Sequence, residues 1–296
     1  MNERIAFANF HPVSLFFYFA AVLIFTMFTQ NPVLLLISLF GASLFAAVTS
    51  TRAQIFADLK FYVPVFIVIS LTNPIFSHGG ATPLFFMNDN PVTLEAVLCG
   101  IDIAVMIVSV MLLCKAFSKV MESDKLLCLF GKAAPKLAAV LSMSLRFIPL
   151  FKRKFAQIKE AQTALGYFKS GSLSESLMSN ARVFSALVTW ALENGADTAD
   201  SLSARGYDAG TRKSFSLFRF KKQDAVLLIL TLALSAAVLQ GFAGGSLDFD
   251  FYPYITAPGT DGLSLISYSA FGVLSLIPFI FEVKEALHWK YLRSKI

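Results

Sequence analysis

Six stretches of the chain are apolar all round, not on one face only, and each is bounded by turn signals. They run over Val13–Phe28, Pro32–Thr49, Phe61–Leu71, Leu94–Cys114, Ala225–Phe242 and Leu263–Phe281. About 17–25 apolar residues in helical form are enough to cross the hydrocarbon core of a bilayer. Phe61–Leu71 is shorter and contains Pro64, but no charge interrupts it. Asn31-Pro32, Asn73-Pro74, Asn90-Pro91 and Gly244-Gly245 supply turns between the stretches. The pattern predicts six spanning helices.

Between residues 115 and 223 the period changes. A short helix is expected over Asp124–Phe130, ending at Gly131, and a long one from Pro135, a favoured first-turn position, to about Leu165. Its first half, Leu137–Phe151, is nearly as apolar as a span but contains Arg146 and Pro149. It reads as lying in or along the membrane interface, kinked at the proline. Its second half, Lys152–Thr163, is polar and basic. After Gly166 and Gly171 a third helix is expected over Ser174–Ser203. Leu177, Phe184, Leu187, Val188, Ala191, Leu192 and Leu202 recur at spacings of three and four, which makes an apolar stripe. Asn180, Glu193, Asp197 and Asp200 occupy the other face. Such a helix must bury one side against a neighbour or the bilayer. The fold class is therefore an all-α polytopic membrane protein in three regions. Residues 1–114 hold four spans, 115–223 a helical module, and 224–296 two spans.

Composition sharpens this picture. Of 296 residues, 56% are hydrophobic and 15% charged, against about 25% charged in soluble domains. A disordered chain, a disulfide scaffold and an ordinary soluble enzyme are excluded. The net charge of +6 is unevenly placed. Residues 115–223 hold 18 basic and 8 acidic residues, a local +10, while the remaining 187 sum to −4. The Thr29–Asn31 turn and the loops 72–93 and 243–262 carry no Lys or Arg. Every basic residue, from Arg4 through Arg52 and Lys60 to Lys284, Lys290, Arg293 and Lys295, falls on the opposite side of the predicted spans. Because cytoplasmic loops hold the Lys/Arg excess, both termini and the middle module are expected to be cytoplasmic. The first apolar stretch leads into further spans and does not read as a cleaved signal peptide. The run Arg212, Lys213, Arg219, Lys221, Lys222, interleaved with Phe215, Phe218 and Phe220, lies just before a span. That position suits anionic lipid, not nucleic acid.

One short pattern repeats. Ala164-Leu165-Gly166-Tyr167 ends the second helix of the module, and Ala204-Arg205-Gly206-Tyr207 ends the third, 40 residues later. Gly past a helix end is an ordinary cap, and Arg is favoured there by the helix dipole. The alternative reading is a pair of equivalent exposed ends. Small residues there admit a partner closely, and Arg205 can form a bidentate salt bridge.

At these residues the sequence resembles the transmembrane T component of energy-coupling-factor transporters, the EcfT/CbiQ family. The resemblance includes His11-Pro12, Asn73-Pro74, Ser142–Pro149 (SMSLRFIP) and Thr189–Gly206 (TWALENGADTADSLSARG). It implies a prokaryotic cell-membrane subunit that docks on two ATP-binding-cassette ATPase subunits and on a small membrane S component. The S component captures a vitamin or transition-metal ion. The family's two coupling motifs map onto Ala204, Arg205 and Gly206, and onto Ala164, Leu165 and Gly166. Leu165 departs from the usual central Arg. Either that contact is apolar, or Lys159 or Lys169 supplies the charge. Arg146, Phe147 and Pro149 would belong to the S-component surface.

Other functions find little support. The Gly131-Lys132 pair lacks both the glycine cradle and the following Ser or Thr of a P-loop, so ATP is expected on partner subunits and no cofactor on this chain. An intramembrane enzyme would need converging polar groups within the spans. Glu95, at the outer edge of the fourth span, and Asp102, about 10 Å deeper, have no obvious basic partner, and Asp102 reads as protonated and bonded to a neighbouring backbone. His11 and His78 read as interfacial and loop residues. Cys99, Cys114 and Cys128 suit neither a metal site nor a disulfide framework. A self-contained carrier would show repeated spans with broken helices, and the only repeat lies in the module.

Overall fold

A computed structural model of the chain describes residues 5–77, 79–87, 90–167, 173–207 and 218–293. His78, Lys169, Gly171, Arg212, Lys213 and Phe215, named above, lie outside the described residues, as do Arg4 and Lys295. The described residues form nine α-helices and one two-stranded hairpin. They divide into two compact units, Met1–Glu122 with Phe218–Ile296, and Ser123–Leu217.

The first unit holds α1 (Pro12–Phe28), α2 (Pro32–Thr49), α3 (Arg52–Phe76), α4 (Leu94–Val120), α8 (Lys222–Ala243) and α9 (Gly262–Arg293). Five of these, α2, α3, α4, α8 and α9, are long and apolar enough to cross a membrane. The sixth, α1, is an apolar helix of 17 residues, at the lower end of the length a span requires. The third span is longer than its apolar window. The helix starts at Arg52 under a Thr51/Gln54 capping box and continues through Pro64 and Pro74. Between α3 and α4 lies an unanticipated antiparallel hairpin, β1 (Pro83–Met87) and β2 (Asn90–Thr93), which pairs Pro83 with Thr93 and Phe86 with Pro91.

In lipid, helices gain little from burying apolar surface, so packing relies on close approach and hydrogen bonds. A Cβ at Gly41 of α2 would overlap the Ser275 side chain of α9, and one at Gly100 of α4 would lie 2.6 Å from the Ser70 carbonyl oxygen of α3. Tyr18 donates to the Leu274 carbonyl at 3.0 Å, and Thr26 and Ser38 share a 2.9 Å hydrogen bond. Asn31 donates to the Leu247 carbonyl and the Tyr268 hydroxyl.

Caps tie distant segments together. His11 caps α1 with its Nδ1 accepting from the Val13 N–H. Asp224, buried in the first turn of α8, accepts from the backbone N–H of His11 and of Lys221, both at 2.7 Å. One carboxylate thus serves the starts of two helices. Glu282 of α9 accepts from the Phe7 N–H at 2.9 Å, which holds the 3-10 turn Ala6–Asn9 in place. The Phe7 ring, fully buried, meets Phe10, Tyr18, Phe19, Phe45 and Phe281 edge-on or tilted. Lys115 pairs with Asp58, and Lys119 donates to Ser50 and the Thr49 carbonyl.

The second unit is three helices, α5 (Ser123–Ala133), α6 (Pro135–Ala164) and α7 (Leu173–Ala204). The α6 helix runs unbroken through Pro149. At 1.5 Å per residue, α6 and α7 are each about 45–48 Å long.

Candidate functional site

Both helix ends in the second unit close in the same way. Gly166 and Gly206 adopt φ of +79° and +73°, a left-handed conformation that glycine takes without a Cβ penalty. At the first end the Gly166 N–H donates to the Thr163 carbonyl at 3.0 Å and the Tyr167 N–H to Gln162 at 3.1 Å. At the second the Gly206 N–H donates to Ser203 at 3.0 Å and the Tyr207 N–H to Leu202 at 3.1 Å. These are two complete Schellman caps, matched bond for bond. Residues 161–167 and 201–207 also share one pattern of exposure, with Gln162 and Leu202 half-buried and the rest exposed. Leu165 and Arg205 occupy the same position, each bonded through its N–H to the residue four before it, and both are exposed. Nothing lies within 4 Å of where a Gly166 Cβ would sit.

The two ends point in opposite directions. The Phe151 ring meets Trp190 edge-on at 6.1 Å, and Lys154 sits 5.3 Å over the same indole. Just past the end of α6, the Tyr167 ring lies 5.3 Å from Arg182 of α7, and the Ser179 hydroxyl of α7 donates to the Tyr167 carbonyl at 2.9 Å. As α6 advances from Phe151, its contacts on α7 retreat from Trp190 to Ser179, so the helices are antiparallel. From the Phe151–Trp190 contact, Leu165 lies 14 residues on and Arg205 lies 15 residues on. These are two arms of about 20 Å on opposite sides of one aromatic contact. Measured along α7, Arg205 is about 35 Å beyond Arg182.

The residues expected at a second surface divide. Arg146 and Pro149 are exposed on α6, whereas Phe147 is half-buried and stacked on Phe151 at 5.8 Å. Phe147 therefore belongs to the face that packs on α7. The apolar stripe of α7 also divides. Ser179 and Val183 are buried and Leu187, Trp190, Ala191 and Leu202 half-buried, but Leu177, Phe184, Val188 and Leu192 remain exposed. On α6, Leu137, Val140, Leu141 and Ile148 are exposed as well. The Tyr167–Arg182 clasp and the Trp190 contact were not anticipated from sequence. The sole signal for them was a tryptophan and an arginine among otherwise small or apolar residues.

The polar groups of the first unit are placed structurally. Glu95 accepts from the Thr82 hydroxyl at 2.8 Å and is 3% exposed. Asp102 is 8% exposed, and the expected hydrogen bond to a neighbouring backbone is not formed among the described residues. The helix backbone around it is committed to its own ladder, and the side chain lies near Cys99. The described residues contain no group of three or more His, Cys, Asp or Glu arranged to hold a metal ion.

Comparison with known proteins agrees with this architecture. The CbiQ family, described as "Cobalt transport protein", matches residues 10–216. An energy-coupling factor transporter transmembrane protein EcfT of Bacillus selenitireducens is 26% identical over 238 residues, covering 75% of this chain and 88% of that protein. The EcfT of Brevibacillus brevis is 29% identical over 222 residues, covering 70% and 83%. The EcfT of Listeria innocua is 38% identical over 108 residues, covering 36% and 39%. With its helical membrane unit, its antiparallel pair of long helices and a match over most of its length, this chain belongs to the CbiQ family, the transmembrane T components of energy-coupling-factor transporters.

Proposed function

We propose that this chain couples two ATP-binding-cassette ATPase subunits to a small substrate-capturing S component, in an importer of a vitamin or a transition-metal ion. The observation that carries the reading is the matched pair of helix ends, alike in backbone and equally far from the Phe151–Trp190 contact. Two equivalent projections suit a partner built from two like subunits. The docking residues are Ala204, Arg205 and Gly206 at one end and Ala164, Leu165 and Gly166 at the other. ATP is bound and hydrolysed by the partners. Closure of the ATPase pair moves the two tips, and α6 and α7 turn about the aromatic contact as levers. The exposed apolar side chains Leu137, Val140 and Ile148 of α6, with Arg146 and Pro149 beside them, carry the motion to the S component.

The charge distribution supports an orientation in a prokaryotic cell membrane, with both termini and the second unit on the cytoplasmic side. Arg219, Lys221 and Lys222, with the exposed Phe220, supply an anchor for anionic lipid at the start of α8.

The test is Arg205→Glu in the full chain, expressed with its partners. Co-purification with the ATPases should be lost, and undiminished complex and transport would rule the coupling role out. The chain purified alone should turn over no ATP. A reporter fused after Gly245 should register the outer side of the membrane.

A further inference from the structure

Where α2 gives way to α3, hydrogen-bond donors gather without an acceptor to match them. The Lys119 ammonium of α4 donates to the Ser50 hydroxyl oxygen at 2.6 Å and to the Thr49 carbonyl at 3.2 Å. An ammonium carries three donors, so one N–H is left over. The Ser50 oxygen accepts from Lys119, which leaves its own O–H to donate outward. Arg52, two residues on, is exposed, and neither it nor Lys119 has a carboxylate partner among the described residues. The nearest acid on α3, Asp58, is already paired with Lys115, one turn further into α4. Glu122, three residues past Lys119, is exposed and forms no ion pair among the described residues. Beyond Arg52, the next two turns of α3 expose Ile55, Phe56 and Leu59. The 18-residue apolar window of this helix has no buried residue at all.

We infer that this corner binds the phosphate of one anionic glycerophospholipid, whose acyl chains lie along the exposed flank of α3. The donor set is an ammonium, a hydroxyl and a guanidinium, and a phosphate diester offers acceptor oxygens and negative charge to all three. The corner lies where two membrane-crossing helices meet, α2 ending at Thr49 and α3 starting at Arg52, so a lipid phosphate is already at the right depth. Ile55, Phe56 and Leu59 then meet its hydrocarbon, which a free phosphate ion does not supply. The headgroup adds no cation of its own. A zwitterionic lipid would bring its ammonium beside Lys119 and Arg52, where like charges repel, whereas a glycerol headgroup is neutral. One bound lipid bridges three helices, through Ser50 after α2, Arg52 of α3 and Lys119 of α4. The anchor proposed at Arg219, Lys221 and Lys222 is a separate place, at the start of α8.

The experiment releases the full chain from bilayers of equal phosphatidylglycerol and phosphatidylcholine and counts retained lipids by native mass spectrometry. The wild type should keep phosphatidylglycerol over phosphatidylcholine by at least fivefold. Arg52→Gln, which breaks no contact within the fold, should retain one phosphatidylglycerol fewer per chain. Lys119→Met should lose the same molecule, and Lys119→Arg, which keeps the charge, should recover it. Lys284→Gln with Lys290→Gln, an equal or larger loss of charge on α9, should leave the count unchanged. Equal retention of the two lipids by the wild type overturns the inference, as does an unchanged count in Arg52→Gln. A matching loss in the α9 variant would reduce the effect to general charge and overturn it too. Adding millimolar inorganic phosphate separates the two sources of the anion. The lipid should stay bound, and its full displacement would assign the corner to a free ion instead.

Discussion

The guanidinium of Arg182 lies 5.3 Å from the ring centroid of Tyr167, and this contact binds the tip of α6 to the first turns of α7. The Ser179 hydroxyl, hydrogen-bonded to the Tyr167 carbonyl at 2.9 Å, completes the clasp. Without it, the helix end would fray from its last turn. Arg182→Ala removes a partly exposed cation–π contact of about 0.5–1 kcal/mol, so amide exchange over residues 161–167 should quicken roughly two- to fivefold. Unchanged exchange there would show that the Schellman bonds suffice.

The positive φ of Gly166 and Gly206 sets a second expectation. Gly206→Ala places a Cβ in the left-handed region, at a cost of about 1–2 kcal/mol. The last turn of α7 should open, and ATPase co-purification should fall with it. Gly206→Asn, which tolerates this conformation, should retain more of both. Equal behaviour of the Ala and Asn variants in exchange and pull-down would count against a conformational role.

Asp224 offers a test of how the membrane unit is held together. Its carboxylate accepts from His11 and Lys221 at the starts of α1 and α8. Hydrogen bonds to a charged acceptor contribute about 1.5–3 kcal/mol each, so Asp224→Ala should lower the unfolding temperature in detergent substantially. Asp224→Asn keeps one acceptor oxygen and should fall midway. A melting curve matching the wild type for Asp224→Ala would refute the double cap.

Tyr252, in the loop between α8 and α9, shares a 3.2 Å hydrogen bond with Ser77 just past α3 and receives a longer one from Asn73. Asn73 also donates to the Ala96 carbonyl of α4 at 2.8 Å. Tyr252→Phe removes the hydroxyl and should cost about 1 kcal/mol. Limited proteolysis of the 72–93 loop should accelerate, and an unaltered cleavage rate would show that Asn73 alone anchors it.

The spans were legible because length and uniform apolarity are local properties, as at Pro32–Thr49, whose window and helix coincide. The third span was underestimated because Arg52–Lys60 is polar. Its helical state rests on capping at Thr51 and on contacts such as Asp58 with Lys115, 57 residues away. In the helical module the Ala-x-Gly-Tyr echo marked both helix ends, since glycine caps are read from a few adjacent residues. The buried face of α7 was not readable in the same way. Ser179, Val183 and Trp190 turn inward while Leu177, Phe184 and Leu192 stay exposed, because where α6 lies, not hydrophobicity, selects the face.

The sequence by itself determined the all-α membrane class, the separation of basic from acidic loops and the paired helix ends. Each depends on residues close together in the chain. Only the tertiary structure decided that the two ends lie at equal arms from one aromatic contact and point apart. It alone joined His11 to Asp224 across 213 residues. Such relationships depend on how helices cross and pack, and the spacing of residues along one helix carries no record of where its neighbour lies.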